Sequence, residues 1–350
     1  MKKIAIFQED LNIGGIQKSL LNFLKSYDRE RLSVDLFLFQ RGGSWENEIP
    51  GDVKLIYLQP LEKKFKYLPF DIALSAADYD FSELEENYDL SVDFNSYQPW
   101  CAAAAILCPA EKRVMWVHND VEIKFKEEWK YRVLFRAMKG KYKYFEGFAC
   151  VSEAIIEPFK KMSGLYDREF FAIPNCVNTE EIFAGAAEEP DERPEEGCFN
   201  LCAVGRLCHQ KGYDLMLELA AGVFEKREDM RLYIIGDGPE REGLEKKIPE
   251  KKLSGKVFLL GRKENPYSFM KLCDGLVSTS RYEGQGINLL EAKALGLQVF
   301  IPKRLEKYVE GIAGSEDLER SLIEAVKKEK ITDNLLDYNK KTLAMIEDLC

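Results

Sequence analysis

The sequence of 350 residues predicts an α/β protein with two domains, each built on a doubly wound parallel β-sheet. Short apolar runs alternate with helical patterns in both halves of the chain, which is typical of βα units in a parallel sheet. Residues 184–197 are acidic, contain two prolines and show no apolar period, so they separate the two series. The length also suits two cores better than one.

In the first half, the apolar runs predicted as strands are residues 4–7, 34–39, 53–57, 90–94, 113–117, 147–151 and 170–173. Helical patterns include residues 17–26 and 158–163. A second series of strands and helices extends from residue 199 to about residue 301, and residues 315–328 and 334–349 are predicted as helices. We therefore expect an N-terminal domain at 1–183, a linker at 184–197 and a C-terminal domain at 198–333.

Composition limits the cellular setting. Hydrophobic residues make up 46% of the chain and charged residues 31%, as in a soluble globular protein. The start Met1-Lys2-Lys3 leads directly into a short strand pattern, so no signal peptide is predicted, and the apolar run 101–108 is far shorter than the roughly 20 residues that span a bilayer. We expect a cytoplasmic protein, in which nine scattered cysteines without a Cys-x-x-Cys pair are reduced thiols.

The formal net charge of −10 argues against a nucleic-acid partner, since a basic surface supplies most of that affinity. Residues 123–145 depart from this acidic character, because eight Lys and Arg stand there against two Glu and are interleaved with aromatic residues. Such a segment forms either a solvated helix pair with buried aromatic side chains or a surface that meets an anionic membrane. Both interpretations stay open, and the second would place the protein at the inner face of the membrane.

Residues 280–292 form the most informative segment, in which a glycine-rich turn precedes a predicted helix and is flanked by Glu283 and Glu291. Glycines let backbone N–H groups approach a ligand closely, and the N-terminus of a helix presents unpaired N–H donors that suit a phosphate. Glu283, in the loop, is placed to accept hydrogen bonds from sugar hydroxyls, and Glu291, in the helix, to hold a ribose diol. The pattern predicts a site for a nucleotide sugar.

Arg206 and Lys211 follow the predicted strand 201–204, at the edge of the sheet where ligands bind in open α/β folds. A planar guanidinium and a compact ammonium at this spacing suit a diphosphate. Two further strands end in comparable turns, at Gly236-Asp237-Gly238-Pro239 and at Gly261-Arg262.

In this order and spacing, these motifs resemble family 4 of the retaining glycosyltransferases. The likeness rests on Gly205-Arg206, Lys211-Gly212, Gly236-Asp237-Gly238-Pro239, Leu260-Gly261 and Glu283-x7-Glu291, and it extends to the first half through Gly14-Gly15, Trp116-Val117-His118-Asn119 and Ile173-Pro174-Asn175. It implies the GT-B architecture, in which two Rossmann-like domains face a central cleft and the N-terminal domain binds the acceptor. The last helix, about 334–350, would pack back on that domain.

The resemblance implies a role for each matching residue. The catalytic set would be His118, Arg206, Lys211 and Glu283, with His118 against the donor sugar and the two cations on the diphosphate. The donor-binding set would be Gly14, Gly15, Gly205, Gly261, Arg262, Gly286, Ile287, Asn288 and Glu291. The implied donor is a UDP-sugar, which is transferred with retention to a hydroxyl of a glycan, a lipid-linked molecule or another acceptor.

No essential metal or other cofactor is expected, because Arg206, Lys211 and helix termini would neutralise the diphosphate. Asp78-Tyr79-Asp80 has the spacing of a metal-binding carboxylate pair, but it lies in a polar stretch, followed by residues 81–86, and no apolar strand leads into it. It is better interpreted as the capped start of a helix.

The family pattern is broken at Cys176 and at residues 301–306, where Lys303 and Arg304 either hold a substrate or are simply exposed. These departures leave open a non-catalytic subunit that binds a second transferase. A sugar-nucleotide epimerase of the same fold is the other alternative.

Overall fold

The computed structural model describes residues 1–81 and 87–349 and divides into two compact units. Unit 1 comprises Met1–Cys176 and Leu336–Cys350, and unit 2 comprises Val177–Leu335. The division comes before the expected domain end at residue 183, because a helix that starts at Thr179 belongs to unit 2. That helix ends at Ala187, so residues 184–187 of the expected linker are helical.

Unit 1 contains a parallel sheet whose strands, in the described residues, are β1 Lys2–Gln8, β2 Leu32–Leu38, β3 Lys54–Tyr57, β4 Tyr88–Asp93, β5 Ala110–Val117, β6 Gly147–Cys150 and β7 Glu169–Ala172. Its α-helices there are α1 Gly15–Ser26, α2 Phe70–Ser75, α3 Pro99–Leu107, α4 Val121–Glu127, α5 Trp129–Met138 and α6 Ile156–Ser163. The strand order is β3-β2-β1-β4-β5-β6-β7, with each neighbouring pair parallel. The direction of chain progression across the sheet reverses between β1 and β4, and open α/β sheets bind ligands at such switch points.

Local sequence explains where several of these helices begin and end. Asp120 caps α4, because its carboxylate accepts the Ile123 N–H at 3.0 Å. Pro99 starts α3 at a position where its missing N–H is not needed. Gly164 ends α6 in the left-handed conformation, with φ of 78°. Residues 78–81, where the sequence predicts a capped helix start, are not helical, and residues 82–86 of that prediction lie outside the described residues.

The basic and aromatic segment 123–145 folds as α4, α5 and a 3₁₀ turn at Lys139–Tyr144. Tyr131, Phe135 and Tyr142 are buried, whereas Trp129 is 64% exposed. One of its cations departs from both interpretations given above, because the side chain of Lys141 is fully buried. No helix in residues 1–81 or 87–349 is both long and apolar enough to cross a membrane.

Unit 2 contains a second parallel sheet, formed by β8 Phe199–Val204, β9 Met230–Ile235, β10 Val257–Gly261, β11 Gly275–Val277 and β12 Gln298–Phe300. Its α-helices are α7 Thr179–Ala187, α8 Tyr213–Lys226, α9 Arg241–Glu250, α10 Tyr267–Met270, α11 Ile287–Ala294, α12 Lys303–Glu306 and α13 Leu318–Ile323. The strand order is β10-β9-β8-β11-β12, again with parallel neighbours. The switch point of this sheet lies between β8 and β11.

The core of unit 2 follows from the alternation of side chains along its central strands. Phe199, Leu201 and Ala203 of β8 lie in one buried apolar cluster with Leu217 of α8 and Leu232 of β9. A strand covered by helices in this way is typical of a parallel sheet. The two units therefore confirm the predicted fold class, an α/β protein with two Rossmann-like domains.

The last helix, α14 Leu336–Glu347, belongs to unit 1 although it follows unit 2 in the chain. The hydroxyl of Tyr338 donates to the carbonyl of Asn175 at 3.0 Å, and Glu347 forms an ion pair with Arg31 at 2.6 Å. These contacts hold the C-terminal part of the chain against the rest of unit 1.

Candidate active site

The carboxyl ends of β8 and β11 lie side by side at the switch point of the unit 2 sheet, and each is followed by a charged loop. Lys211 comes from the loop after β8 and Glu283 from the loop after β11. Lys211 Nζ lies 2.7 Å from Glu283 Oε1, with 22% of the lysine side chain and 6% of the glutamate side chain exposed. An ammonium carries three donors, so Lys211 can hold Glu283 and still donate to an anion. The structure thus brings together two of the predicted catalytic residues.

The turn that presents Lys211 depends on glycine at the next position. Gly212 has φ of 64°, and a Cβ there would lie 2.6 Å from the carbonyl oxygen of Thr279. The hydroxyl of Thr279 donates to the carbonyl of Gly212 at 2.8 Å, which joins the two loops. The stem of Lys211 then passes Gly205, where a Cβ would come within 3.5 Å of Lys211 Cε. Glycine at position 212 therefore sets the direction in which Lys211 points.

The loop that carries Glu283 is clamped to the loop that carries Lys211. Arg281 forms a bidentate ion pair with Asp214, with N–O distances of 2.8 and 2.7 Å. Hydrogen bonding to Arg281 lowers the pKa of Asp214 to about 2. The Arg281 N–H donates to the carbonyl of Gln210 at 2.8 Å, and Gln210 Nε2 donates to the carbonyl of Tyr282 at 3.3 Å. This clamp limits how far Lys211 and Glu283 can separate.

Residues 301–306, which break the family pattern, support the same loop. Arg304 Nη2 donates to the carbonyl oxygens of Thr279 at 3.0 Å and Ser280 at 2.9 Å. Burial, followed by the nearby charge of Arg281, lowers the pKa of Arg304. Lys303 instead pairs with Glu306 at 2.8 Å on the surface. Lys303 and Arg304 are both exposed, in agreement with one of the two possibilities raised by the sequence, and Nη2 of Arg304 in addition holds the backbone that precedes Glu283.

Arg206 lies in the first turn after β8 and is exposed. Among the described residues its guanidinium has no ion-pair or hydrogen-bond partner, in contrast to Lys211. Gly205, just before it, has φ of 154°, and a Cβ on Gly236 would lie only 2.0 Å from the Gly205 carbonyl oxygen. The backbone at this turn is thus tightly packed while the charge of Arg206 stays available to an anion.

Helix α11 starts at the same switch point. Gly286 is its N-cap and Ile287 its first residue. The N–H of Ile287 donates to the carbonyl of Gln285 at 3.1 Å and that of Leu289 to the carbonyl of Gly286 at 3.0 Å, so in the described residues the Asn288 N–H is the donor of this turn that a ligand can use. Asn288 Nδ2 donates to the carbonyl of Val204 at 2.9 Å, which ties the helix to the end of β8. The side-chain nitrogen of Asn288 is therefore engaged in the protein, and its backbone N–H is what this residue offers a phosphate.

Glu291 lies further along α11 and is 8% exposed. Its Oε1 accepts a hydrogen bond from the hydroxyl of Tyr267 at 2.7 Å. Burial, together with this carboxylate, raises the pKa of Tyr267. The sequence analysis did not identify Tyr267, because no motif marks the four-residue helix α10. It did not identify the Asp214–Arg281 ion pair either, because no motif connects these two distant positions.

Gly261 and Arg262 lie at the end of β10, an edge strand, with β9 between them and β8. Gly261 has φ of 73°, and its carbonyl accepts the Gly236 N–H at 2.8 Å. Arg262 is exposed. These two predicted donor-binding residues therefore lie on the β9 side of the switch point, whereas Glu283 lies on the other side, in the loop after β11.

The remaining predicted residues belong to unit 1. Gly14 is the N-cap of α1 and Gly15 its first residue, directly after β1 and next to the switch point of that sheet. A Cβ on Gly15 would meet nothing within 4 Å, whereas one on Gly14 would lie 2.5 Å from Gln17 Oε1. Packing within the chain therefore does not require glycine at position 15.

His118 follows β5 and is 8% exposed. Its Nε2 lies 2.7 Å from the carbonyl oxygen of Phe94, and the two rings are 4.8 Å apart. Because a carbonyl can only accept, Nε2 carries the proton and Nδ1 keeps its lone pair. Burial lowers the pKa of His118 to about 4, so the ring is neutral at physiological pH. Unit 1 thus presents a buried, neutral imidazole beside its switch point.

Metal ligands do not assemble in the described parts of the chain. Across residues 1–81 and 87–349, no three or more His, Cys, Asp or Glu side chains are grouped so that they could hold a metal ion. The cysteines described there are unpaired thiols.

Two parallel-sheet α/β units, with a cation–carboxylate pair at the switch point of the second, define a GT-B protein. The family "Glycosyltransferase Family 4" matches residues 13–181, and "Glycosyl transferases group 1" matches residues 187–338. The two matches together account for most of the chain. This protein belongs to the family 4, group 1 glycosyltransferases.

Individual relatives agree with this assignment. An uncharacterized glycosyltransferase of Methanocaldococcus jannaschii is 28% identical over 198 residues, which cover 54% of this chain and 47%, about half, of the relative. HepE of Anabaena, solved with UDP and glucose, has a TM-score of 0.67 at 18% identity and covers 100% of this chain and 98% of its own. A variant of TarM from S. aureus, solved with fondaparinux, α-GlcNAc-glycerol and UDP, has a TM-score of 0.63 at 14% identity, covering 99% and 97%. At such identities the two structures support the fold alone.

Proposed function

We propose that the protein transfers a sugar from a UDP-sugar to an acceptor hydroxyl, with retention of configuration. The observation that carries the proposal is the Lys211–Glu283 ion pair of 2.7 Å at the switch point of unit 2. Arg206, in the turn after the same strand as Lys211, has no ion-pair partner among residues 1–81 and 87–349. Support for UDP comes from HepE and TarM, whose structures contain it. We assign the donor to unit 2 and the acceptor to unit 1.

The bond changes of this reaction explain the need for fixed cations. The bond from the anomeric carbon to the diphosphate oxygen breaks, and its electron pair leaves with the diphosphate. The acceptor oxygen forms the new bond to the same carbon, and its proton passes to the departing phosphate oxygen. Negative charge therefore grows on the diphosphate, where Arg206, Lys211 and the backbone N–H of Asn288 at the start of α11 stabilise it. Such pre-placed donors are commonly the largest single contribution to catalysis.

The carboxylates and the histidine have other tasks in this proposal. Glu283, fixed by Lys211, accepts hydrogen bonds from donor hydroxyls, and Glu291, fixed by Tyr267, accepts them from the ribose. A carboxylate already held by an ammonium is a poor nucleophile, which favours attack on the same face as the leaving group over a covalent glycosyl intermediate. The neutral ring of His118 is assigned to the reactive face of the sugar, as the family resemblance implies.

We further propose that the transfer needs no metal ion, because the two cations offset the charge of the diphosphate. Turnover should then be unchanged by EDTA and by added Mg²⁺ or Mn²⁺. Loss of turnover in EDTA, restored by one of these ions, would contradict this part of the proposal.

Incubation of the purified chain with a panel of sugar nucleotides tests the proposed function. Slow hydrolysis of one donor with release of UDP is expected, and Arg206→Ala should abolish it while the fold is retained. Interconversion of two sugar nucleotides without UDP release would instead indicate an epimerase. Neither turnover nor binding of any donor would indicate a non-catalytic subunit.

A peripheral membrane contact through unit 1 is a separate proposal, and the exposed residues of α5 and its flanks carry it. Trp129 is 64% and Val133 45% exposed, and they are surrounded by exposed cations of the same segment. A second basic and aromatic stretch, the 3₁₀ turn Lys63–Tyr67, packs against α5 and exposes 61% of Tyr67. Aromatic side chains among cations are what an interfacial surface presents to anionic lipids.

Sedimentation with vesicles of phosphatidylglycerol and phosphatidylcholine tests this contact. Replacing four exposed cations by glutamine should weaken binding strongly, since each contributes about 1 kcal/mol near an anionic surface; these are Lys130, Arg132, Arg136 and Lys139. The matched control replaces four exposed lysines of unit 2, namely Lys246, Lys247, Lys252 and Lys328. Equal binding of both variants, or no binding by the wild type, would refute the membrane contact.

A further inference from the structure

A buried ion pair lies behind the loop that follows β4, apart from the residues assigned above. Lys141 Nζ is 3.4 Å from Asp93 Oδ2, and both side chains are 0% exposed. The same ammonium donates to the carbonyl of Ser96 at 2.6 Å. Asp93 Oδ1 accepts the Ser96 N–H at 3.0 Å. Both members of the pair therefore hold the backbone at Ser96.

Stability alone does not account for this pair. Lysine is almost never fully buried, and transfer of two charges out of water offsets much of their attraction. Burial lowers the pKa of Lys141 and raises the pKa of Asp93, so the surroundings disfavour both charged forms. Apolar side chains of similar volume often give equal or greater stability at such positions, which suggests that the pair fixes a particular geometry.

The loop held by the pair is the one that contacts His118. Ser96 has φ of 57°, a left-handed conformation that is unfavourable for a serine and persists only when the surroundings enforce it. Phe94, two residues earlier, supplies the carbonyl that accepts from His118 Nε2 at 2.7 Å. Tyr97, one residue later, accepts through its hydroxyl from Asn119 Nδ2 at 2.9 Å. The pair thus lies on one side of the loop, and His118 with its neighbour binds the other.

We propose that Lys141 is a positioning residue: with Asp93 it holds the loop at residues 94–97 in the conformation that fixes the ring orientation and the tautomer of His118. Its effect on turnover rests on the proposed transferase function, whereas its effect on the imidazole does not. Lys141 also belongs to the 3₁₀ turn after α5, so the histidine is tied to the segment that carries the basic surface.

The test uses a charge-neutral double variant, Asp93→Asn with Lys141→Met, which leaves no unpaired charge in the interior. Its matched control is Asp89→Asn with Lys2→Met, an exposed pair of 2.9 Å near the other end of β4. Nitrogen-15 spectra of histidine-labelled, untagged protein report the tautomer and the pKa of each ring. The chain has two histidines, and His209→Gln assigns the signals.

In the wild type and the control variant, His118 should show a single tautomer with the proton on Nε2. In the double variant we expect both tautomers and a pKa raised from about 4 toward the ordinary value near 6.5. Turnover should fall about 10- to 100-fold in kcat with little change in the donor KM, as misplacement of a reacting group does. Unchanged His118 signals in the double variant would overturn the proposal.

Two further observations keep the test decisive. Should the double variant not fold, Asp93→Asn with Lys141→Gln, which also leaves no unpaired charge and keeps polar side chains in the interior, should shift the His118 signals in the same direction, and unaltered signals there would also overturn the proposal. Should the wild type show no transfer of any sugar, the spectra still decide whether Lys141 positions the ring, and only the proposed function fails.

Discussion

The different surroundings of Arg206 and Lys211 lead to a prediction that separates catalysis from stability. Both are assigned to the diphosphate, so replacement of either by alanine removes one pre-placed donor. Loss of such a donor typically lowers kcat by about 10²- to 10³-fold, or roughly 2.7 to 4 kcal/mol of barrier. On turnover alone the two variants should therefore look alike.

Their effects on folding should differ. Arg206 is exposed and, in the described residues, has no ion-pair partner, so Arg206→Ala should change the free energy of unfolding by no more than about 0.5 kcal/mol. Lys211→Ala leaves the Glu283 carboxylate, 6% exposed, without the ammonium 2.7 Å away. Breaking a buried pair on one side costs about 3 to 5 kcal/mol, and the 22% exposure of Lys211 places this case near the lower end.

Urea unfolding and initial rates of UDP release measure the two quantities on the same preparations. A third variant, Lys211→Ala with Glu283→Gln, removes the orphaned charge and should recover most of the lost stability while kcat stays low. Near-normal turnover in both single variants would remove the assigned role of the cations. Equal stability of Arg206→Ala and Lys211→Ala would refute the reasoning about the ion pair.

Two other predictions concern single side chains. Glu291→Gln should raise the Kd for UDP about tenfold, because a hydrogen bond to a charged group contributes about 1.5 kcal/mol or more; an unchanged Kd in calorimetry would remove the ribose role. The pKa of His118 is about 4 in the folded state, below the unfolded value near 6.5. Between these two pH values the unfolded state therefore binds more protons than the folded state. As a result, the free energy of unfolding falls as the pH drops from about 6.5 to about 4. The total loss is about 3 kcal/mol. From pH 7 to pH 4.5, the free energy of unfolding of the wild type should therefore fall by most of this amount relative to that of His118→Asn. If the free energies of unfolding of the two proteins change in parallel with pH, the argument that burial lowers the pKa of His118 is wrong.

Much of the fold was predictable because its signals are local. Apolar runs and turn residues located strands such as β1 and β8 to within a few residues, since a buried parallel strand must be continuously apolar. The order of these elements was enough to predict two doubly wound sheets. The predicted helix 315–328 was too long, because α13 ends at Ile323, and the linker was placed partly over α7.

The site was predictable only where a motif marks it. Lys211 and Glu283 were identified separately, but their ion pair depends on the neighbouring positions of β8 and β11, which a switch in strand order creates. Tyr267 carries no local signal of its contact with Glu291. Lys141 lies in a run of surface cations, and nothing in that run distinguishes the one that is buried against Asp93.

Binding of UDP by the full chain, measured by calorimetry in EDTA, tests the central claim most directly. The account predicts one UDP site per chain in the wild type and an affinity that falls about 100-fold in Arg206→Ala, whose fold should be intact. Failure of the wild type to bind UDP, or equal affinity in the two proteins, would contradict the assignment of the unit 2 switch point as the diphosphate site.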